Sequence, residues 1–173
     1  MSYTTTALEG LKPCPSKGPV PSPAGVIYLD NELAMTRLYA DMVADLFHSG
    51  HVEFFKKART LGDYLIVGIH SDEVLISNDY KKGKPILTME ERVNSVGACR
   101  LVDEVLPNAP FIIDRPWIDK HNIEIVVRGD DMPQDRLEYF YKVPMDMGIF
   151  RTVPYTAGIS TTEIIRRIME RSS

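Results

Sequence analysis

The centre of DYLIVGIHS (63–71) is a continuous apolar run of strand length, with helical periodicity on either side in HVEFFKKARTLG and TMEERVNSVGACR. A strand with no polar face must be covered on both sides, as happens in a parallel sheet whose crossover helices pack above and below it. The same alternation runs along the chain. MTRLYADM (35–42) reads as a strand before the first helix. In that helix Val52, Phe54, Phe55 and Ala58 share a side, and Gly62 is predicted as its C′ stop. Helix 88–100 opens on a capping box, with Thr88 at the N-cap and Glu91 at N3. Strand VDEVLP, a short helix at PWIDKHN, strand IEIVVRGDD, helix RLEYFYKVPMDMG and a last helix from Thr161 follow. Strands alternating with helices predict an α/β protein, a Rossmann-like doubly wound parallel sheet with helices on both faces.

The 173 residues are the size of one domain. Residues 11–25, LKPCPSKGPVPSPAG, carry five prolines, so residues 1–25 are expected to be a linker or disordered arm. The folded unit then runs over 26–173, with VIYL (26–29) as a possible first strand. No run of about 18 apolar residues is available to span a bilayer. The opening MSYTTTALEG lacks the basic and apolar regions of a secretory signal, which leads us to expect a cytoplasmic protein. Cys14 and Cys99 have no CxxC or metal-ligand spacing and read as reduced thiols. A net charge of −4 argues against nucleic acid as a partner, while leaving room for an anion in a local basic pocket.

Ligands of such sheets bind beyond the carboxyl ends of the strands. The segments DMVADLFHSGH, HSDEVLISNDYKKGK, RGDDMPQD and PYTAGISTTE should therefore converge on one crevice. His48 and His51 bracket Gly50 where the first long helix begins. Two imidazoles at that spacing can hold a metal, move a proton, grip a phosphate or pack, and alone the pattern suits packing as well as chemistry. Zinc is disfavoured, because no third ligand has suggestive spacing and HExxH is absent. A helix N-terminus favours phosphate through its open amides and partial positive charge. Lys81, Lys82 and Lys84 form a lysine loop able to reach a phosphate. Asp130 and Asp131 follow Gly129 at a strand end, and Gly158, Ser160, Thr161 and Thr162 open a second helix N-terminus suited to an anion.

In order over roughly residues 35–168, the chain resembles the cytidylyltransferases that activate phosphocholine, phosphoethanolamine and glycerol 3-phosphate. The pieces that carry the resemblance are YADMVADLFHSGHVEFFKKAR, GDYLIVGIHSDE, KGKPILTMEER, CRLVDEVLPNAP, GDDMP and AGISTTEIIRRI. It implies an HxGH-type nucleotidyltransferase that joins CTP to a phosphorylated alcohol, giving a CDP-alcohol and pyrophosphate for phospholipid synthesis. By the same resemblance His48, His51 and Lys82 are catalytic. Met42, Val43, Gly50, Arg100, Gly129, Asp130, Asp131, Gly158, Ile159, Ser160 and Thr161 attend the nucleotide, and Asp45, Asp72, Lys82 and Trp117 the acceptor. It further implies magnesium carried with CTP, no dedicated metal ligands, and a homodimer.

YAD, DDMP and MGIF point to phosphocholine or phosphoethanolamine as acceptor, with glycerol 3-phosphate or a phosphonate alcohol as alternatives. Trp117, Tyr139, Phe140 and Tyr141 are candidates for an aromatic cage around a quaternary amine. Two positions depart from the family. Met42, Val43 and Ala44 stand where a glycine and an aromatic are usual, and Tyr155 stands where an arginine is usual, with Arg151 or Arg128 as replacement cations. These departures define a rival reading, a nucleotide-binding relative with a regulatory or assembly role. Some members carry a membrane-sensing amphipathic helix after the catalytic domain, which a chain ending at Ser173 is expected to lack.

Overall fold

The structure, a computed structural model, describes residues 35–77 and 84–172. The expected arm, the strand at 26–29, Cys14, Lys81 and Lys82 lie outside the described residues. Five strands, β1 (Arg37–Met42), β2 (Tyr64–His70), β3 (Glu104–Ala109), β4 (Ile125–Gly129) and β5 (Phe150–Val153), form one parallel sheet in the order β3-β2-β1-β4-β5. The helices are α1 (Ser49–Ala58), α2 (Asp72–Ser77), α3 (Met89–Gly97), α4 (Arg115–Lys120), α5 (Gln134–Asp146) and α6 (Thr161–Arg171). The chain winds outward from β1 to β3 and then returns to place β4 on the other side of β1. The strand order therefore reverses between β1 and β4, where a crevice opens in folds of this kind.

Side chains alternate faces along each strand. Leu38 and Ala40 of β1, Leu65, Val67 and Ile69 of β2, and Val127 of β4 pack with Phe55 and Ala58 of α1 and Val96 of α3. The intervening Tyr39, Ile66 and Val126 pack on the opposite face with Ile118 of α4 and with Leu137, Phe140 and Tyr141 of α5. Leu65, Ile66, Val67 and Ile69 are fully buried. Each such side chain stabilises the fold by about 1.5–3 kcal/mol, which anchors β2 at the centre of both cores. Pro107, which has no N–H to give, sits in the edge strand β3.

Several elements differ from the expectation. Gly62 is extended (φ 178°) after a 3-10 turn over Arg59–Leu61, not a left-handed helix stop. Its constraint is space, since a Cβ there would lie 2.8 Å from the Thr36 carbonyl oxygen and 2.9 Å from the Leu38 side chain. Helix α3 ends at Gly97, so the half-buried Cys99 lies beyond it. The Thr88–Glu91 capping box forms as expected, each partner accepting the other's backbone N–H. Strand β5 and the short α2 were not foreseen. The sequence marks β5 only by the four residues FRTV, too few for a periodic signal.

Helix α5 breaks at Tyr141 (φ −119°, ψ 20°). Pro144 has no N–H for the Phe140 carbonyl four residues back. The N–H of Ile113 takes that carbonyl instead, at 3.1 Å. The break turns Tyr141 toward the end of β1. Among the described residues no helix is long and apolar enough to cross a membrane.

Candidate active site

A cavity of about 590 Å³ opens at the strand-order reversal. Its wall is built from the end of β1 and the turn after it (Asp41 to Asp45, His48, Gly50, His51), the end of β4 (Arg128, Gly129, Asp131), the strap Lys84 to Ile86, and the β5–α6 connection from Pro154 to Thr162. His70, Phe111, Phe140 and Tyr141 line it from the α4/α5 face. Three of the four segments expected to converge do so at this crevice. The fourth contributes His70 and Lys84, and its remaining lysines lie outside the described residues.

The two histidines cap α1. The backbone N–H of Gly50 donates to His48 Nδ1 at 3.0 Å, and that of His48 donates to His51 Nδ1 at 3.2 Å. A ring nitrogen that accepts carries no proton, so each neutral imidazole has its proton on Nε2. The rings lie 4.0 Å apart, and His51 stacks on Phe47. The helix end thus fixes the tautomer of both rings, with the proton on Nε2. Gly50 lets the His48 ring fold back, since a Cβ there would sit 2.8 Å from its Cε1 and 3.2 Å from Ile159.

The turn that presents these histidines is strained. Ala44 (φ 59°) and Leu46 (φ 47°) are left-handed without being glycine, at a cost of about 1–2 kcal/mol each. Asp45 between them holds the turn in place. Its carboxylate accepts the N–H groups of Ile86 and Leu87, both at 3.0 Å, and its carbonyl accepts the Thr161 hydroxyl at 2.9 Å. One buried aspartate thus joins the strap and the start of α6 to the HxGH turn. Ser160 caps α6 by accepting the Glu163 N–H at 3.1 Å. Asp45, read from sequence as an acceptor ligand, and Ser160 and Thr161, read as phosphate ligands, therefore all make framework bonds while lining the cavity.

The floor of the cavity holds a cluster that the sequence reading did not assemble. Asp41 is buried at the end of β1. The Tyr141 hydroxyl donates to its Oδ1 at 2.5 Å, and Arg128 lies 3.5 Å from the same oxygen while donating to the Tyr141 hydroxyl at 2.6 Å. His70 Nε2 stands 3.5 Å from Oδ2, an oxygen sealed from solvent. The His70 Nδ1–H donates to the Ala109 carbonyl at 3.1 Å, where a bulge at the left-handed Asn108 brings Ala109 opposite it. Burial alone would raise the Asp41 carboxyl; His70, then Arg128 and the Tyr141 hydroxyl, outweigh burial and hold it below the ordinary carboxylate value. Burial and the Asp41 charge push the Tyr141 hydroxyl well up. The signals for this cluster were Asp41, polar at the end of an apolar strand, and Pro144 inside a helical pattern.

Of the other residues named from sequence, Met42, Val43, Gly129, Asp131 and Ile159 line the cavity with the histidines. Met42 also packs on the α1/α3 core. Arg100, Asp72, Trp117, Asp130 and Gly158 do not line it. Arg100 is exposed in the turn between α3 and β3, at the amino end of the strands. Asp72 pairs with the fully buried Arg92 at 2.7 Å. Arg92 also donates to the carbonyls of Val43 and His70, tying the ends of β1 and β2 together. Trp117 packs edge-on against Tyr39 and Tyr139 is exposed, so of the four aromatics named from sequence Phe140 and Tyr141 reach the cavity, where Phe54, Phe111 and Tyr155 also line it. Asp130 accepts the Tyr155 N–H at 2.7 Å, and Gly158 (φ 93°) serves the turn. Tyr155 stands half-exposed at the rim. Arg151 points its guanidinium at the Gly148 and Phe150 carbonyls, which leaves Arg128 as the arginine at the cavity.

A parallel sheet with its crevice at the order reversal and a histidine pair on a helix N-terminus at that crevice defines a doubly wound α/β protein. Residues 40–167 match the Cytidylyltransferase-like family model, and the chain belongs to that family. It is 45% identical over 139 residues to the ethanolamine-phosphate cytidylyltransferase of Dictyostelium discoideum, covering 77% of this chain and 38% of that protein. It is 41% identical over 160 residues to the enzyme of that name from Arabidopsis thaliana (88% of this chain, 34% of that protein). It is 40% identical over 137 residues to choline-phosphate cytidylyltransferase A of Mus musculus (77% and 36%). The chain thus spans between a third and two fifths of the length of these relatives. Among solved structures, the lipopolysaccharide core biosynthesis protein of Thermoplasma volcanium shares the fold, with a TM-score of 0.57 at 24% identity over 72% of this chain and 99% of that one.

Proposed function

We propose that this chain transfers the cytidylyl group of CTP to a phosphorylated alcohol of the ethanolamine or choline kind, releasing pyrophosphate. The observation that carries this reading is the pair of Nε2–H imidazoles on the N-terminus of α1, facing the N-terminus of α6 across one cavity. The names of the relatives support the nucleotide and the acceptor class.

In this reading an acceptor phosphate oxygen attacks the α-phosphorus of CTP, and the bond to the β-phosphate oxygen breaks in line. A phosphate monoester is already a nucleophile, so the step needs alignment and charge neutralisation rather than a general base. The Nε2–H groups of His48 and His51 donate to phosphate oxygens as charge shifts onto them, held in advance by the strained turn and by Asp45. Lys84 brings a cation from the strap. No group of three His, Cys, Asp or Glu side chains among the described residues forms a metal cage. The donor set fits a magnesium ion carried by the triphosphate, which requires only one or two protein carboxylates, with Asp131 at the rim to hold it. Such an ion would neutralise phosphate charge. A homodimer is part of the same reading, supported by the family resemblance.

The test is pyrophosphate release from CTP and magnesium with phosphoethanolamine, phosphocholine, glycerol 3-phosphate and a phosphonate alcohol in parallel. Turnover with at least one is expected. CTP binding without turnover on any acceptor would overturn the reading in favour of a regulatory relative.

A further inference from the structure

Lys57, in the last turn of α1, does not line the cavity, yet it holds part of the wall. Its ammonium donates to the Pro154 carbonyl at 2.7 Å and to the Thr156 hydroxyl at 3.0 Å. Between them the Tyr155 N–H donates to Asp130 Oδ1 at 2.7 Å, and the Asp130 N–H donates to the Val153 carbonyl at 3.1 Å. The segment 153–156 is thus tied at four successive residues, by α1 on one side and by the end of β4 on the other. Connecting segments are ordinarily the most mobile part of a fold. This one is held so that the Tyr155 ring stands in one place, over Gly129, where a Cβ would lie 3.9 Å from its Cδ2. The helix that carries His48 and His51 at its first turn therefore fixes Tyr155 from its last.

A nucleotide is charged at one end and flat at the other. In the cytidylyl-transfer reading the imidazoles on α1 take the phosphates, and Tyr155 has no cation to add to them. It offers an aromatic face instead, half-exposed at the rim and joined along the same wall by Ile159 and Ile165. Bases stack on such faces, because every base has a π-face of its own. Resting on that reading, we propose that Lys57 is a positioning residue for CTP, one that holds the Tyr155 ring where the cytosine stacks on it. Tyr155 stands where an arginine is usual, so at this position the chain replaces a cation for the triphosphate by a surface for the base.

Calorimetric titration gives the Kd of CTP with magnesium, and kinetics at saturating phosphoethanolamine gives KM and kcat. Lys57→Met and Tyr155→Ala should each weaken CTP at least about tenfold, the scale of one base stacked on a ring, with a smaller effect on kcat. CMP should weaken by the same factor, whereas inorganic pyrophosphate, which has no base, should bind as it does to the wild type. Lys57→Arg should restore CTP affinity, and Tyr155→Phe, which keeps the ring, should keep the larger part of it. In the double variant the two losses should not add, because both act through one ring. A lysine that only stabilises the fold would lower the melting temperature and leave the Kd of CTP in place, and that outcome overturns the proposal. Fully additive losses overturn it too, as does Tyr155→Phe binding as weakly as Tyr155→Ala. If Lys57→Met does not fold, Tyr155→Ala at the half-exposed rim decides: unchanged CTP affinity there overturns the proposal and leaves cytidylyl transfer standing. CTP binding that weakens in these variants, without turnover on any acceptor, removes the transfer reading and keeps the proposal. A wild-type protein that does not bind CTP removes both.

Discussion

His48 and His51 cap one helix end with their Nδ1 atoms, 3.0 Å from the Gly50 nitrogen and 3.2 Å from the His48 nitrogen. Each imidazole is therefore held by the backbone on its inner nitrogen and carries its proton on the outer one. The two roles separate on mutation. His48→Ala and His51→Ala should each lower kcat by at least about 100-fold, the scale of losing a preorganised donor. His48→Ala should also cost about 1 kcal/mol of stability with its cap. His48→Asn restores a capping oxygen, so it should recover the stability and not the rate. Steady-state kinetics beside urea unfolding reads both effects, and near-normal turnover in either alanine variant would refute the catalytic role.

Gly50→Ala tests the packing of that turn. The added methyl would fall 2.8 Å from His48 Cε1 and 3.2 Å from the Ile159 side chain, so the ring must move or α6 must yield. Turnover should drop by at least about tenfold while the fold survives, because a displacement of under an ångström at a reacting group is enough to lose alignment. Circular dichroism with parallel kinetics checks this, and unchanged kcat/KM is the contrary result.

Arg92 is fully buried, and its guanidinium satisfies the Val43 and His70 carbonyls and Asp72 together. Replacing it by methionine preserves volume but leaves a half-buried carboxylate and two carbonyls without their donor. A loss of about 3–5 kcal/mol is expected. The urea midpoint measures it; a shift equivalent to under about 1 kcal/mol, the ordinary size of a surface ion pair, would contradict the assignment.

Acid should weaken the protein through Asp41. Its folded-state value lies below the ordinary 3.8, so the unfolded chain takes up the proton first. The stabilisation is fully present above about that ordinary value and is lost as pH falls through the lower folded-state one. Asp41→Asn should flatten this part of the profile while lowering stability at neutral pH. Thermal melts of both proteins from neutral to strongly acidic pH compare the slopes, and identical slopes would show that Asp41 contributes nothing.

Residues 63–71 and their helical neighbours were enough to specify a parallel α/β sheet, because a strand apolar on both faces has few other places to sit. The order of local motifs likewise brought His48, Gly50, His51, Ser160 and Thr161 to one sheet edge, since strand ends in such a fold share it. Capping also reads locally: Thr88 and Glu91 are three residues apart, and so are His48 and His51. Residues that meet only across the sheet were not legible. Asp41 and Tyr141 are a hundred positions apart, and their contact depends on a helix break that Pro144 causes and Ile113 satisfies. Arg100, matched by motif, and Trp117, named as an aromatic candidate, went the other way: neither lines the cavity, Arg100 lying exposed between α3 and β3 and Trp117 packing against Tyr39. Periodicity and capping act within a few residues, whereas the balance of charge around Asp41 exists only once β1, β2, β4 and α5 are packed, and that balance is what tertiary structure alone decided.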